Sequence, residues 1–411
     1  MQDAKRRLYW QCLFHGNPIL PLKSTQSSSR PPLGRVASEL AFRSSVIAFS
    51  KRCWHLELIG RDLLPPGPCF IYGNHSNNYD PFIYNAFTEL GQSTAGVMTM
   101  EYLRSGLLAR LFTAAGIVGT EKRVPEPHLI RKLWKMIEQK RRIVIFPEGG
   151  RRWHGRPDPW IESTAKVFMR LGVPVYPVTI NGSYVGWPRW ATYPRPAHIK
   201  VEVHPAADFS DKPSLEVALQ RLKKPISFDE NVVSEEIKPK RAFRPIAGVT
   251  KLLYRDPFTG EFGGLVETGS NRLEQKNGNE SWIMNPDSSL VHNPSGELIL
   301  TADMYDTIRN MEFSTPQETA VVANLADVQV FKNDVPVFKA RRSSVQLYRD
   351  RIEMAGGVRI PLEDVLYTGL ERNDKIWILT SSQRVIAEFK YGGSVRAWQD
   401  ILNRLIPDLN C

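Results

Sequence analysis

The chain has 411 residues, 42% of them apolar and 24% charged, with ten Trp, 18 Phe and 13 Tyr, which excludes whole-chain disorder and predicts two or three domains. Fifty-four Lys and Arg against 43 Asp and Glu give a net charge of +11 and a pI near 9.4, favouring anionic partners such as nucleic acid, anionic lipid or phosphorylated substrates. Residues 1–230 hold 32 basic and 19 acidic residues, a net of +13, so the whole excess lies there and the remainder is near neutral.

The four cysteines, Cys12, Cys53, Cys69 and Cys411, show no metal-ligand or redox spacing, so neither a disulfide framework nor a cysteine zinc site is expected. The basic N-terminus lacks an apolar segment of signal-peptide length, and no run reaches the roughly 18 apolar residues of a membrane span. These features predict a cytoplasmic protein, soluble or peripheral to the inner face of a membrane.

Residues 1–35, rich in Pro and Ser from Pro18 onward, read as a flexible lead-in. From Val36, Phe42, Val46, Phe49 and Cys53 fall at helical spacing among Arg35, Arg43, Lys51 and Arg52, a pattern that suits either an anionic bilayer or packing on the parent domain. Strand signals follow at 69–72, 95–100, 142–146, 173–180 and 198–204, separated by helix signals at 102–115, 127–140 and 161–171. This alternation predicts an α/β domain over 36–230 with a mixed, mostly parallel sheet covered by helices. Residues 231–310 read as a linker and a ribbon-like hairpin, with Asp256, Thr259, Glu274 and Asn277 where a zinc ribbon has cysteines, hence without metal ligands. Residues 311–411 read as a smaller β-rich domain, its short strands starting at Val345, closed by a helix with Val395, Trp398, Leu402 and Leu405 on one face. That order of elements resembles a pleckstrin-homology-like fold.

Two constellations carry chemistry. Asn74-His75-Ser76-Asn77-Asn78-Tyr79-Asp80 lies where a strand ends and a helix begins, the edge at which α/β folds place reactive groups. A His there removes a hydroxyl proton near neutral pH if a carboxylate fixes its tautomer. Asp80 is close enough in the chain to do so, or is simply a helix N-cap ahead of Pro81. Phe146-Pro147-Glu148-Gly149-Gly150-Arg151-Arg152 follows a buried strand and brings two guanidiniums, whose planar forks suit phosphate.

With Gly172-Val173-Pro174-Val175-Tyr176-Pro177-Val178, these motifs resemble in order and spacing the glycerolipid (lysophospholipid) acyltransferases, of which 1-acylglycerol-3-phosphate acyltransferase is the best-known type. The resemblance spans roughly residues 36 to 225. It implies His75 as general base, Asp80 as its orienting partner, Glu148, Gly149 and Arg151 in acceptor binding, and Pro174 near the acyl donor. The second motif departs from the pattern: Gly116-Ile117-Val118-Gly119-Thr120 leads to Glu121-Lys122-Arg123, so Lys122 stands where the arginine of the usual Asp-Arg is expected, with Arg123 next to it. In the third, Arg152 replaces a serine and adds a cation to the expected phosphate pocket.

The resemblance implies no bound cofactor, with acyl-CoA or acyl carrier protein as co-substrate, a lysophospholipid or glycerol phosphate as acceptor, and a membrane lipid surface as partner. A catalytically silent lipid-binding or scaffold protein is the alternative. Nucleic acid is not expected, because the basic residues bracket the motifs or lie on one helix face and do not interleave with aromatics on a recognition element.

Overall fold

A computed structural model describes residues 33–84, 94–103, 106–120, 127–313, 316, 318–407 and 409. Lys122, Arg123 and nearly all of the N-terminal lead-in lie outside the described residues.

The first half is built on a seven-stranded sheet: β1 (Trp54–Ile59), β2 (Cys69–Gly73), β3 (Thr94–Thr99), β4 (Ile117–Thr120), β5 (Arg142–Ile145), β6 (Val175–Asn181) and β7 (Ala197–Val203). Their order is β1-β7-β6-β2-β5-β3-β4. Strands β6, β2, β5, β3 and β4 are parallel, whereas β7 runs antiparallel to β6 and carries β1 parallel beside it. The mixed, mostly parallel sheet expected from the sequence is present. Strand β1 was not anticipated; Trp54-His-Leu-Glu-Leu-Ile directly continues a helix, with no turn residue to mark its start.

Strand β2 lies between β6 and β5 and is buried along its whole length, which is why its sequence is a continuous apolar run and not an alternating one. The pleat still sorts its side chains. Phe70 and Tyr72 join the helix-covered face formed with α4 (Pro127–Glu138), α5 (Glu162–Arg170) and α7 (Leu215–Lys223), while Cys69 and Ile71 join the opposite face with Val46, Ile83 and Tyr84. Val46 belongs to α1 (Leu33–Cys53) and Ile83 to α2 (Asp80–Ile83).

The apolar stripe of α1 packs on its own domain. Phe42 stacks on Phe82 and on Phe112 of α3 (Leu107–Ala114), at ring-centroid distances of 4.8 and 5.2 Å, and Phe49 stacks on Tyr79 at 4.4 Å. The opposite side leaves Leu33, Leu40 and Ile47 exposed. Among the described residues, no helix is long and apolar enough to cross a membrane.

Residues 231–310 hold more than one hairpin. Strands β8 (Leu265–Thr268), β9 (Arg272–Gln275), β10 (Ser281–Met284), β11 (Ser289–His292) and β12 (Leu298–Leu300) form an antiparallel meander, followed by α8 (Thr301–Asn310). The anticipated Asn277-Gly278 hairpin joins β9 to β10. Seven antiparallel strands follow: β13 (Val322–Lys332), β14 (Val335–Leu347), β15 (Arg351–Met354), β16 (Val358–Pro361), β17 (Val365–Glu371), β18 (Lys375–Thr380) and β19 (Arg384–Glu388). They are arranged β16-β15-β14-β13-β19-β18-β17 and covered by α9 (Val395–Leu405) through Val395, Trp398 and Leu402, with Leu405 partly buried. The sequence reading missed β13 and the first part of β14, where exposed Val335 and Val337 and the pair Arg341-Arg342 break the alternation, and where two register shifts interrupt the pairing.

One apolar core runs through this second half, from Ile246 and Leu253 across the meander to Leu402, and it takes in Trp153 and Trp190 from the first half.

Candidate active site

The parallel register aligns three strand ends. Tyr72 pairs with Ile145 and with Pro177, so the segments leaving β2, β5 and β6 emerge at one edge of the sheet. His75, Glu148 and Ser183 all lie a few residues beyond that edge.

The 74–80 loop is fixed almost entirely by its own polar side chains. Asn74 spans the gap to β6, with Nδ2 donating to Ile180 O at 3.0 Å and Oδ1 accepting from Ile180 N at 2.8 Å. Asn77 Oδ1 accepts from Tyr79 N at 2.7 Å and its Nδ2 donates to Ser183 Oγ at 2.7 Å. Tyr79 is the N-cap of α2, so Asp80 occupies the first helical position ahead of Pro81. Its carboxylate turns back into the loop instead of capping the helix. Oδ2 accepts from Ser76 N at 2.6 Å and Asn77 N at 2.8 Å, and lies 3.0 Å from His75 Nδ1, while Oδ1 accepts from Ser183 Oγ at 2.5 Å. Asp80 is fully buried; the His75 side chain is 15% exposed and stacks on Phe146, centroids 4.2 Å apart. A carboxylate that is an acceptor towards every neighbour makes Nδ1–H the donor and leaves Nε2 as the basic nitrogen.

Glu148 and Arg152 form the second layer. The Glu148 carboxylate is buried and accepts from Arg152 Nε at 2.9 Å and Nη2 at 2.5 Å. Arg152 Nη1 also donates to Glu230 Oε1 at 3.0 Å, and the remaining bonds run to Ile226 O and Phe228 O. Burial pushes the Glu148 carboxyl up to about 7 against the opposing pull of Arg152, and burial raises Glu230 too. Burial works to lower the Arg152 guanidinium, but the Glu148 and Glu230 carboxylates together outweigh it and leave Arg152 raised. The expected extra cation for a phosphate is therefore absent: Arg152 is completely buried and committed to two carboxylates. Its backbone N donates to His75 O at 2.7 Å, which locks the two motifs together.

Gly149 adopts φ +68° in the turn after β5, and Arg151 is half-buried with Nη2 donating to Asn373 Oδ1 at 3.1 Å. Pro174 stands apart from this group. It is exposed at the opposite end of β6, its carbonyl accepting from Phe70 N at the start of β2, so the length of a strand separates it from His75. The structure thus brings His75, Asp80, Glu148, Gly149 and Arg151 to one edge and leaves Pro174 at the other.

Two participants were not found by sequence reasoning. Ser183 opens α6 (Ser183–Gly186) just past β6, and its only signal was a Gly-Ser pair after a strand. Glu230 comes from the polar tail of the domain and has no local signal at all. Ahead of the meander, Asp256 Oδ1 accepts from Phe258 N at 2.8 Å and Thr259 N at 3.2 Å, so this carboxylate closes its own turn. Among the described residues, no group of three or more His, Cys, Asp or Glu is placed to hold a metal ion.

Residues 55–181 match the acyltransferase family model. The 1-acyl-sn-glycerol-3-phosphate acyltransferase of Limnanthes alba is 25% identical over 141 residues, covering 34% of this chain and 50% of that protein. The protein of the same name from Pseudomonas aeruginosa is 26% identical over 156 residues, covering 36% of this chain and 58% of its own length. The 1-acyl-sn-glycerophosphate (LPA) acyltransferase PlsC of Thermotoga maritima, a solved structure, is 17% identical, covers 46% of this chain and 78% of that chain, and superposes with a TM-score of 0.38. The chain spans about half the length of the curated relatives it matches.

Proposed function

From an acyltransferase-family domain at residues 55–181, we infer that this protein transfers a fatty acyl group from an acyl thioester, acyl-CoA or acyl carrier protein, to the hydroxyl of a lysophospholipid or glycerol phosphate. The observation that carries the reading is the His75 Nδ1 to Asp80 Oδ2 contact of 3.0 Å, with the aspartate buried and the imidazole partly open. Asp80 holds the tautomer that leaves Nε2 basic and supports the imidazolium that forms. Nε2 takes the acceptor's hydroxyl proton as its oxygen attacks the thioester carbonyl. The tetrahedral oxyanion collapses, the C–S bond breaks, and the imidazolium returns the proton to the departing thiolate. Serine or cysteine nucleophiles are not needed, since Ser76 and Ser183 are both donors in the scaffold around Asp80 and Glu230.

Arg151, beside the His75 loop, is the described cation suited to the acceptor phosphate, with Glu148 and Gly149 shaping the turn that presents it. Lys122 and Arg123 are further phosphate candidates from the sequence, and Pro174 belongs to a segment remote from the base. The basic first half and the exposed Leu33, Leu40 and Ile47 suit a protein that works at an anionic lipid surface from the cytoplasmic side. The seven-stranded C-terminal domain with its closing helix fits a pleckstrin-homology-like docking module.

Labelled acyl-CoA and acyl carrier protein, each offered with a panel of lysophospholipids and glycerol 3-phosphate, test the reading. The parent is expected to form acylated product, and His75→Ala to lose about 10²–10⁴-fold of the rate. Transfer by His75→Ala near the parental rate would overturn it.

A further inference from the structure

The turn between β17 and β18 reaches the third motif. Arg372, at φ +55°, and Asn373 form its tip. Arg189, 6% exposed, lies between this tip and the motif: Nη1 donates to Arg151 O at 2.8 Å, Nη2 donates to Arg372 O at 2.9 Å, and the guanidinium lies over the Trp153 ring at 4.4 Å. Asn373 engages both arginines. Its Nδ2 donates to Arg189 O at 2.5 Å, and its Oδ1 accepts from Arg151 Nη2 at 3.1 Å and from Arg189 Nε at 3.4 Å. One residue beyond Arg151, the Arg152 backbone is bonded to His75 O.

We propose that Asn373 is a positioning residue for the acceptor: the C-terminal β domain, through this turn, orders the Arg151 guanidinium for a phosphate-bearing acceptor beside His75. The inference rests on the acyl-transfer reading above. Ordering a long side chain before binding removes an entropic cost from the binding step. An amide oxygen does this without neutralising the guanidinium, in contrast to the two carboxylates that consume Arg152. The domain outside the family match thereby becomes part of the acceptor side of the site.

The test measures acyl transfer by the full chain from acyl-CoA to a lysophospholipid bearing a terminal phosphate and to a monoacylglycerol lacking it, with His75→Ala in parallel. Asn373→Ala is expected to raise KM for the phosphate-bearing acceptor about 3–10-fold, leaving kcat, KM for acyl-CoA and KM for the monoacylglycerol within about twofold. Asn373→Asp, nearly isosteric, places a carboxylate against Arg151; it is expected to raise that KM further, by an amount that shrinks as salt screens the charge. The aspartate variant carries the test if the alanine variant fails to fold. Unchanged acceptor KM in the variants, with parent and His75→Ala behaving as expected, overturns this inference alone, as does an equal rise for the acceptor without phosphate. A parent that acylates no acceptor overturns this inference together with the acyl-transfer reading.

Discussion

Ser76 donates its hydroxyl to Glu230 at 2.6 Å across 154 positions of sequence, and the same carboxylate oxygen accepts from Arg152 at 3.0 Å. The residue next to the candidate base is therefore held by the last segment of its domain. Glu230→Ala leaves the Ser76 hydroxyl and one Arg152 N–H buried without this acceptor and opens a cavity. A loss of about 2–3 kcal/mol is expected in urea unfolding, at unchanged m-value, with Glu230→Gln losing less because it keeps an acceptor oxygen.

Adjacent arginines should differ sharply. Arg152→Met leaves two buried carboxylates without their cation and is expected to destabilise by about 3–5 kcal/mol. Arg151→Met loses a hydrogen bond to Asn373 at a half-buried site and is expected to cost less, about 1 kcal/mol. The same denaturation series checks both, and equal costs would contradict the division of labour between the two side chains.

The Glu148 carboxyl sets a pH dependence of stability. Its pKa is about 7 in the folded protein against 4.5 as the ordinary value, because desolvation outweighs Arg152, so the native state holds a proton that the unfolded chain releases. The resulting stabilisation is complete below about pH 4.5 and is lost as pH rises through about 7. Glu148→Gln lacks this titration. The stability of the parent relative to the variant should fall by roughly 1–3 kcal/mol between about pH 5 and about pH 8, and a flat difference across that window would count against the assignment.

Much of the site was legible because its chemistry is local. His75 and Asp80 sit in one short loop, and the apolar runs of β2 and β5 located the sheet edge from which both motifs emerge. What escaped was long-range or disguised. Glu230 meets Ser76 only after the whole sheet has formed, and no pattern near residue 230 announces it. Arg152 looked like a phosphate ligand because charge is visible in sequence and burial is not; its two carboxylates come from positions 148 and 230. Strand β1 escaped because it continues α1 without a break, and β13 with the start of β14 because their outer faces mix apolar with polar and charged residues.

Gly73 closes β2 where the backbone has no room for a side chain. A Cβ there would lie 2.4 Å from Val178 O and 2.6 Å from Tyr84 Oη. The carbonyl belongs to the neighbouring strand and cannot rotate away, so Gly73→Ala must push β2 from β6 just ahead of His75. Destabilisation of about 1–3 kcal/mol is expected, together with a fall in acyl transfer exceeding that of a Gly67→Ala control, where the backbone is not left-handed and a Cβ would meet nothing within 4 Å.

Ser183 offers the most direct test of how the His75–Asp80 pair is held. Its hydroxyl donates to Asp80 Oδ1 at 2.5 Å, and its Oγ accepts from Asn77 Nδ2 at 2.7 Å, so it bridges the carboxylate and the loop. The Oδ2 contacts to His75, Ser76 and Asn77 do not involve it. Ser183→Ala therefore keeps the His75–Asp80 contact but frees one side of the carboxylate to rotate, weakening the alignment of Nδ1. About a tenfold fall in kcat is expected, equivalent to about 1.4 kcal/mol, with acceptor and donor KM little changed. Ser183→Thr retains the hydroxyl and should recover part of the rate if the added methyl is accommodated. A parental kcat in Ser183→Ala would show that the three Oδ2 contacts suffice to hold the pair.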